Sequence, residues 1–328
     1  MSQARPQYLA WYGFGLLLLI VAAVFPWLGV PVYFVSFLFT VFFYVTLATS
    51  WNILGGYAGY LSFGHVAFVG IGAYATALIS KGLGLSAVGT VFSCIPAGLL
   101  SAAVAVAVGY PCLRLRGPYF AVITLCFAFV VQLAAKNIDF VGGPDGLWLK
   151  PMDLPVETSR AIFYELMLGL TIITVAVSAK IVGSKFGAGL RAIKEDEEVA
   201  QTMAVNAPLL KIQAFALSAF FPGVAGGLYA YYLTYIHPDF VFDVNISILI
   251  VLMALFGGGA YWLGPVVGAT VLSLINEGLS TFVKAELARI IYGCLFIVVI
   301  IFLPNGIMEF FKRGKERNPT PESPHGEE

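Results

Sequence analysis

Two histidines, four cysteines and a pair of carboxylates are the residues whose chemistry could be used within the long apolar runs of this chain, or at their margins. His65 lies in an apolar run and His237 in a short polar stretch, and the third histidine falls in the C-terminal tail. Neither internal histidine belongs to an H-x-x-x-H or other ligand spacing that would seat a metal, and no G-x-S-x-G elbow marks a nucleophile. Cys94, Cys112, Cys126 and Cys294 are scattered, with no C-x-x-C spacing, so they read as small buried hydrophobes. A phosphate-cradling G-x-x-x-x-G-K-[ST] loop is missing. Ion coupling would require charges deep in apolar segments, where a charge is tolerated only for a purpose. Only Glu165 and Glu277 come near, each toward the end of a run where it can reach an interface. The residue inventory therefore predicts no enzyme, no metal, no cofactor and no self-contained power source.

One internal stretch stands apart, from Gly187 to Pro208, because it alone reads as a water-exposed helix. Glu195, Glu198, Gln201 and Thr202 fall on one side at helical spacing, while Val199, Ala200, Met203 and Ala204 gather on the other. The apolar side is too small to close a core, though it suits a shallow groove on another molecule. Pro208 is expected to stop the helix before a new apolar run begins. The pattern fits two readings equally: a handle gripped by a partner that moves the membrane part, or a solvated connector between two spans.

These residues need elements to hold them. With 59% hydrophobic and 11% charged residues in 328, and a mean hydropathy of +0.89, the chain is far from a soluble domain, in which about a quarter of residues are charged. Runs long enough to cross a bilayer as helices predict an all-α, polytopic transmembrane bundle of about ten segments. These are 11–29, 32–50, a Gly- and aromatic-rich stretch 51–80, 85–108, 118–135, 161–182, 210–235, 245–256, 263–280 and 287–303. The first half of 51–80 is expected to be a tight turn or broken helix, and the segment 245–256 is short for a crossing. Gly64, Gly70 and Gly72 would let neighbouring helices approach closely.

Lysine and arginine set the orientation. Placing Arg5, Arg114, Arg116, Lys185, Arg191, Lys194, Lys211, Lys312, Arg313, Lys315 and Arg317 on one side agrees with ten crossings and both termini in the cytosol. The domain plan is then a cytosolic N-terminus over 1–10, a transmembrane domain over 11–311 that includes the cytosolic segment 187–208, and a disordered tail over 312–328. The loop 137–160 falls outside and holds a GGPDGL turn, Gly142–Leu147. Gly55, Gly56, Ala58 and Leu61 match Gly257, Gly258, Ala260 and Leu263 at a constant offset, a faint echo that fits either the parallel duplication of repeat-built transporters or chance similarity in a Gly-rich apolar chain. Asn52, Tyr57, Ser62, His65 and Asn245 are the polar groups that could line a path, although His65 reads equally as a group bonded across helices.

The stretch Trp51–Ser80, the GGPDGL loop, GLRAIKEDEEVAQTMAVN followed by KIQAFALSAFFPGVAGGLYA, and LFGGGAYWLGPVVGA come in the order found in one family. Together they make the chain, over residues 35 to 305, resemble the LivM-type permease of bacterial branched-chain amino-acid ABC importers. The resemblance implies a permease in the inner membrane, paired with a homologous second permease, fed by a periplasmic substrate-binding protein and driven by two cytosolic ATP-binding subunits. Membrane lipid would surround it, and no nucleic acid is implied. It also implies that the segment matching Arg191 to Asn206 is the coupling helix that docks on an ATPase. Within it Arg191, Glu195, Glu198, Val199, Ala200, Met203, Ala204 and Asn206 would carry the contact. The sequence departs at Ala204, where the family usually has Gly. The alternative function is a stand-alone secondary transporter or facilitator for a small organic solute.

Overall fold

The computed structural model describes residues 21–85, 87–152 and 154–282, positions 287, 290, 291, 293, 294 and 297, and residues 306–309. Most of the expected segments 11–29 and 287–303, and the termini 1–10 and 312–328, lie outside the described residues. The rest is a helical bundle. Its long helices are α1 (Val32–Ala58), α2 (His65–Leu83), α3 (Ala87–Cys112), α4 (Pro118–Asn137) and α5 (Val156–Val182). Two short helices follow, α6 (Lys185–Glu195) and α7 (Glu197–Thr202), and then the long α8 (Ala207–Leu233). After α9 (Pro238–Val241) come α10 (Val244–Gly257) and α11 (Gly264–Phe282). Among the described residues, seven stretches are long and apolar enough to cross a membrane: α1, α2, most of α3, α4, α5, α8, and the combined run Pro238–Gly257. The chain is a multi-pass membrane protein.

Two helices hold the bundle together. From Val45 to Ala58, α1 is buried on every side, as expected of a helix that is hydrophobic all round, and it packs on α5, α8, α10 and α11. α8 packs on α1, α2 and α3. Between helices in lipid, oil offers no hydrophobic drive, so close van der Waals fit must hold the seam. Small residues supply it: Gly72 on α2 meets the backbone of Gly223 on α8, and Gly70 makes room for the Phe242 ring.

The break expected in the first half of 51–80 falls late in it: α1 continues past Ser50 through Trp51, Gly55 and Gly56 to Ala58, and 59–64 is non-helical. The Trp51 indole explains the stop beyond it, since its N–H donates to the Ser62 carbonyl at 2.7 Å and folds the connection back against the helix. The short 245–256 segment also resolves. α9 leads almost directly into α10, and together they reach the length of a span at about 1.5 Å per residue.

Connections gather at two ends. At one lie 59–64, 113–117, the α6–α7 segment and the start of α8, and this end carries Arg114, Arg116, Lys185, Arg191, Lys194 and Lys211. At the other, the loop after α4 does more than turn. Its β1 (Leu147–Trp148) pairs antiparallel with β2 (Tyr235–Ile236), and Lys136 forms an ion pair with Asp239. Two loops separated by a whole set of helices are thereby tied together.

Candidate functional site

The wet segment forms two helices where one was expected. Ser184 caps α6, accepting a hydrogen bond from the Gly187 N–H at 3.1 Å. The helix ends at Asp196, whose backbone is extended (φ −157°, ψ 115°) and whose carboxylate caps α7 by accepting from Glu198 N at 2.8 Å and Val199 N at 3.1 Å. A short carboxylate that can serve the backbone directly favours such a break over an uninterrupted helix. Pro208 does not stop the segment either. α7 ends at Thr202, and Pro208 sits in the first turn of α8, where its missing N–H costs nothing, with Asn206 capping through Leu209 N at 3.2 Å.

The faces also differ from the helical-wheel reading. Leu190 and Ile193 are buried, and the exposed Arg191 donates to the Val182 carbonyl at 2.9 Å, covering the end of α5. Ala200 turns inward, whereas Val199 is 55% and Met203 77% exposed. Ala204, Asn206, Glu195, Glu198, Gln201 and Thr202 are exposed too. The four small apolar residues are therefore split: one anchors α7 and three face solvent.

What fastens this segment was not singled out from the sequence. Lys211 stands on the second turn of α8, only 4% exposed. Its ammonium donates to Glu197 Oε1 at 2.7 Å, to the Tyr60 hydroxyl at 2.9 Å and to the Leu113 carbonyl at 3.0 Å, so all three protons are used. The Tyr60 hydroxyl donates in turn to Glu197 Oε2 at 2.7 Å, and Arg116 lies 3.5 Å from that oxygen while holding Glu198 at 3.1 Å. Burial alone would raise the Glu197 carboxyl. The hydrogen bonds from Lys211 and Tyr60, with the Lys211 and Arg116 charges, outweigh it and hold the carboxyl below its ordinary value. Burial and the Glu197 carboxylate both push the Tyr60 hydroxyl up. An open cleft of about 320 Å³ reaches Tyr60, Arg116 and Glu197 but not Lys211. Nearby, Lys194 donates to the Gly56 carbonyl at 3.0 Å. A lysine one turn inside an apolar run, fourteen positions after a glutamate on a wet helix, was the available signal.

The residues expected along a path fall into three places. His65 is fully buried and satisfied, with Nδ1 3.1 Å from Ser62 Oγ and Nε2 3.2 Å from Ser218 Oγ, so it links the connection 59–64 to α8. This is the cross-helix reading. Tyr57 pairs with Ser178 on α5 at 2.7 Å, and Asn52 lies buried one and a half turns before it, its amide making no well-aligned hydrogen bond. Asn245 is far from these, exposed at the opposite end and bonded to Asp243. Among the described residues no cluster of histidine, cysteine and carboxylates could hold a metal.

Comparison with known proteins follows the same lines. Residues 33–300 match the family model described as branched-chain amino acid transport system, permease component. The chain is 28% identical over 293 residues to the high-affinity branched-chain amino acid transport system permease protein LivM of Salmonella typhimurium, covering 81% of this chain and 67% of that one. The Escherichia coli K12 LivM matches with the same identity and coverage. LivH of Salmonella typhimurium is 23% identical over 289 residues, 81% of this chain and 91% of its own. No solved structure matches. A match that takes in every long helix from α1 to α11 establishes that the chain belongs to the family of branched-chain amino acid transport system permease components.

Proposed function

We propose that the chain is the transmembrane permease subunit of an ABC importer, moving branched-chain amino acids or related amino acids and amides across the bacterial inner membrane. The observation that carries this reading is the family match over 33–300, joined by relatives named as high-affinity branched-chain amino acid permeases. Similarity to both LivM and LivH supports pairing with a second, homologous permease. Two cytosolic ATP-binding subunits would supply the energy, and a periplasmic binding protein the cargo.

In this reading the end rich in Arg and Lys faces the cytosol, following the positive-inside rule, and ten crossings place both termini there. The α6–α7 segment is the coupling segment. Arg191, Glu195, Glu198, Val199, Met203, Ala204 and Asn206 form its outer contact surface, with Ala200 as the inward anchor. ATP binding draws two such segments together, and the differential affinity of the ATPases for two arrangements of the helices shifts the path from inward-open to outward-open. Asn52, Tyr57, Ser62, His65 and Asn245 are the polar groups offered along the path. Asn52 has the best case among them, because its buried amide lacks a well-aligned partner.

The test is uptake of radiolabelled leucine into proteoliposomes holding both permeases, with and without the ATPase subunits and binding protein. ATP-dependent uptake only by the full assembly is expected. Uptake without the ATPase subunits, repeated with this chain as the sole protein, would overturn the reading in favour of a facilitator.

A further inference from the structure

The coupling segment touches the membrane helices through more than its covalent ends. Behind its solvent face, Glu197 holds Lys211 on α8 and Tyr60 in the connection between α1 and α2. Tyr60 shares that six-residue connection with Ser62. Ser62 in turn accepts from the Trp51 indole of α1 through its carbonyl and meets His65 of α2 through its hydroxyl. His65 then reaches Ser218 on α8, whose carbonyl accepts from Ser50 of α1 at 2.9 Å. Every group in this chain except Glu197 is buried or nearly so, and each joins a different pair of elements. Such a lattice cannot stretch: displacing α7 must either break a buried, charge-assisted bond or carry the 59–64 connection and the start of α8 with it.

We infer that Glu197, Lys211 and Tyr60 are positioning residues for energy coupling: they lock the coupling segment to the α1–α2 connection and to α8, so that movement of the segment is delivered to the three helices at the centre of the bundle. The inference rests on the importer reading and adds the route by which force leaves the docking face. A segment held only by its two covalent links would instead swing on 183–184 and 203–206. α6 is anchored by buried Leu190 and Ile193 and by the Lys194 bond to the Gly56 carbonyl, whereas α7 buries only Ala200 and has little besides this network to transmit its displacement.

The experiment uses the complete importer in proteoliposomes and reads substrate imported per ATP hydrolysed, alongside co-purification of the ATPase subunits. The wild-type complex must first show ATP-dependent uptake; failure there rejects the importer reading and not this inference. Glu197→Gln with Lys211→Met removes both charges together, leaving no buried ion alone. Co-purification is expected to be retained, with import per ATP reduced about tenfold while ATP hydrolysis persists. Tyr60→Phe, which removes one hydroxyl and keeps the ion pair, is expected to lower the ratio about threefold. An unchanged ratio in either variant overturns the inference. So does loss of ATPase co-purification in the double variant, because the network would then belong to the docking face and not to the linkage behind it. Should the double variant fail to insert, Tyr60→Phe alone decides.

Discussion

The carbonyl of Gly259 occupies the space where a side chain on Gly56 would stand. These two glycines lie within the two stretches that echo each other in sequence, and each stretch forms the same unit. α1 breaks at 59–64 before α2, and α10 breaks at 258–263 before α11. The echoing stretches therefore mark two breaks, and the backbone of the second meets the last turns of the helix that leads into the first.

This contact sets a first expectation. Gly56→Ala would drive its methyl into the Asn52 side chain and the Gly259 carbonyl, and overpacking of this kind costs about 1–3 kcal/mol. Gly169, inside α5 with nothing near its missing side chain, is the matched control; its change to Ala should be neutral or gain up to about 1 kcal/mol. Thermal unfolding in detergent would separate the two. Equal midpoints for both variants would show that the two breaks are not packed as described.

Ala204 supplies a second expectation, and it has φ +61°. Its N–H bonds the Gln201 carbonyl and the Val205 N–H bonds the Ala200 carbonyl, both at 3.1 Å, which is the Schellman arrangement that normally ends on glycine. Holding alanine in the left-handed region costs about 1 kcal/mol. Ala204→Gly is therefore expected to stabilise the end of α7, slowing amide exchange at Val205 severalfold. Faster exchange in the variant would mean that alanine carries a contact that outweighs the strain.

Ala204 also illustrates what the sequence could yield. The resemblance, which implies glycine as the usual residue there, flagged the position, but only the cap geometry says why glycine belongs. Span positions were legible because twenty apolar residues in a row have one physical meaning in a bilayer. The break at Asp196 was not. Helical periodicity runs straight through KEDEE, and what decides is a carboxylate choosing the backbone over solvent, a local competition that no wheel displays. Nor was the tie between Glu197 and Lys211 legible, because it depends on Tyr60 and Leu113 arriving from positions 151 and 98 residues before Lys211.

Acid and base should act on that tie from opposite sides. Glu197 has a folded-state value below its ordinary 4.5, so its contribution is complete above that value and fades as pH falls through the lower one. Tyr60 has a folded-state value above its ordinary 10.0, so its contribution is complete below that value and fades as pH rises beyond it. The groups facing Glu197 are Tyr60, Lys211 and Arg116, and from Glu197 and Tyr60 a flat stretch between about pH 5 and 10 follows. Melting midpoints measured at about pH 3.5 and 7 should differ less in the Glu197→Gln, Lys211→Met variant than in the natural chain. An identical acid sensitivity in both would place the loss at other carboxylates.

The last expectation concerns the solvent face of α7. Val199 and Met203 lie one turn apart and are more than half exposed, while Ala200 between them is buried. Isolated exposed apolar residues are ordinary, but a pair one turn apart, with Leu209 also half exposed just beyond, makes a small apolar strip on the wet internal segment of the chain. Glutamate at 199 or 203 would remain in water in the free subunit, so its folding stability should change by less than about 0.5 kcal/mol. In the assembled importer the same charge would be buried against a partner surface, at a cost of several kcal/mol if unpaired. Val199→Glu and Met203→Glu are accordingly expected to insert normally and to reduce recovery of the ATPase subunits at least tenfold in pull-downs from detergent. Ala200→Glu should differ by destabilising the segment itself, seen as rapid amide exchange across α7 in the subunit alone. Full recovery of the ATPases with both surface variants would leave the strip without a partner and return the segment to the role of connector.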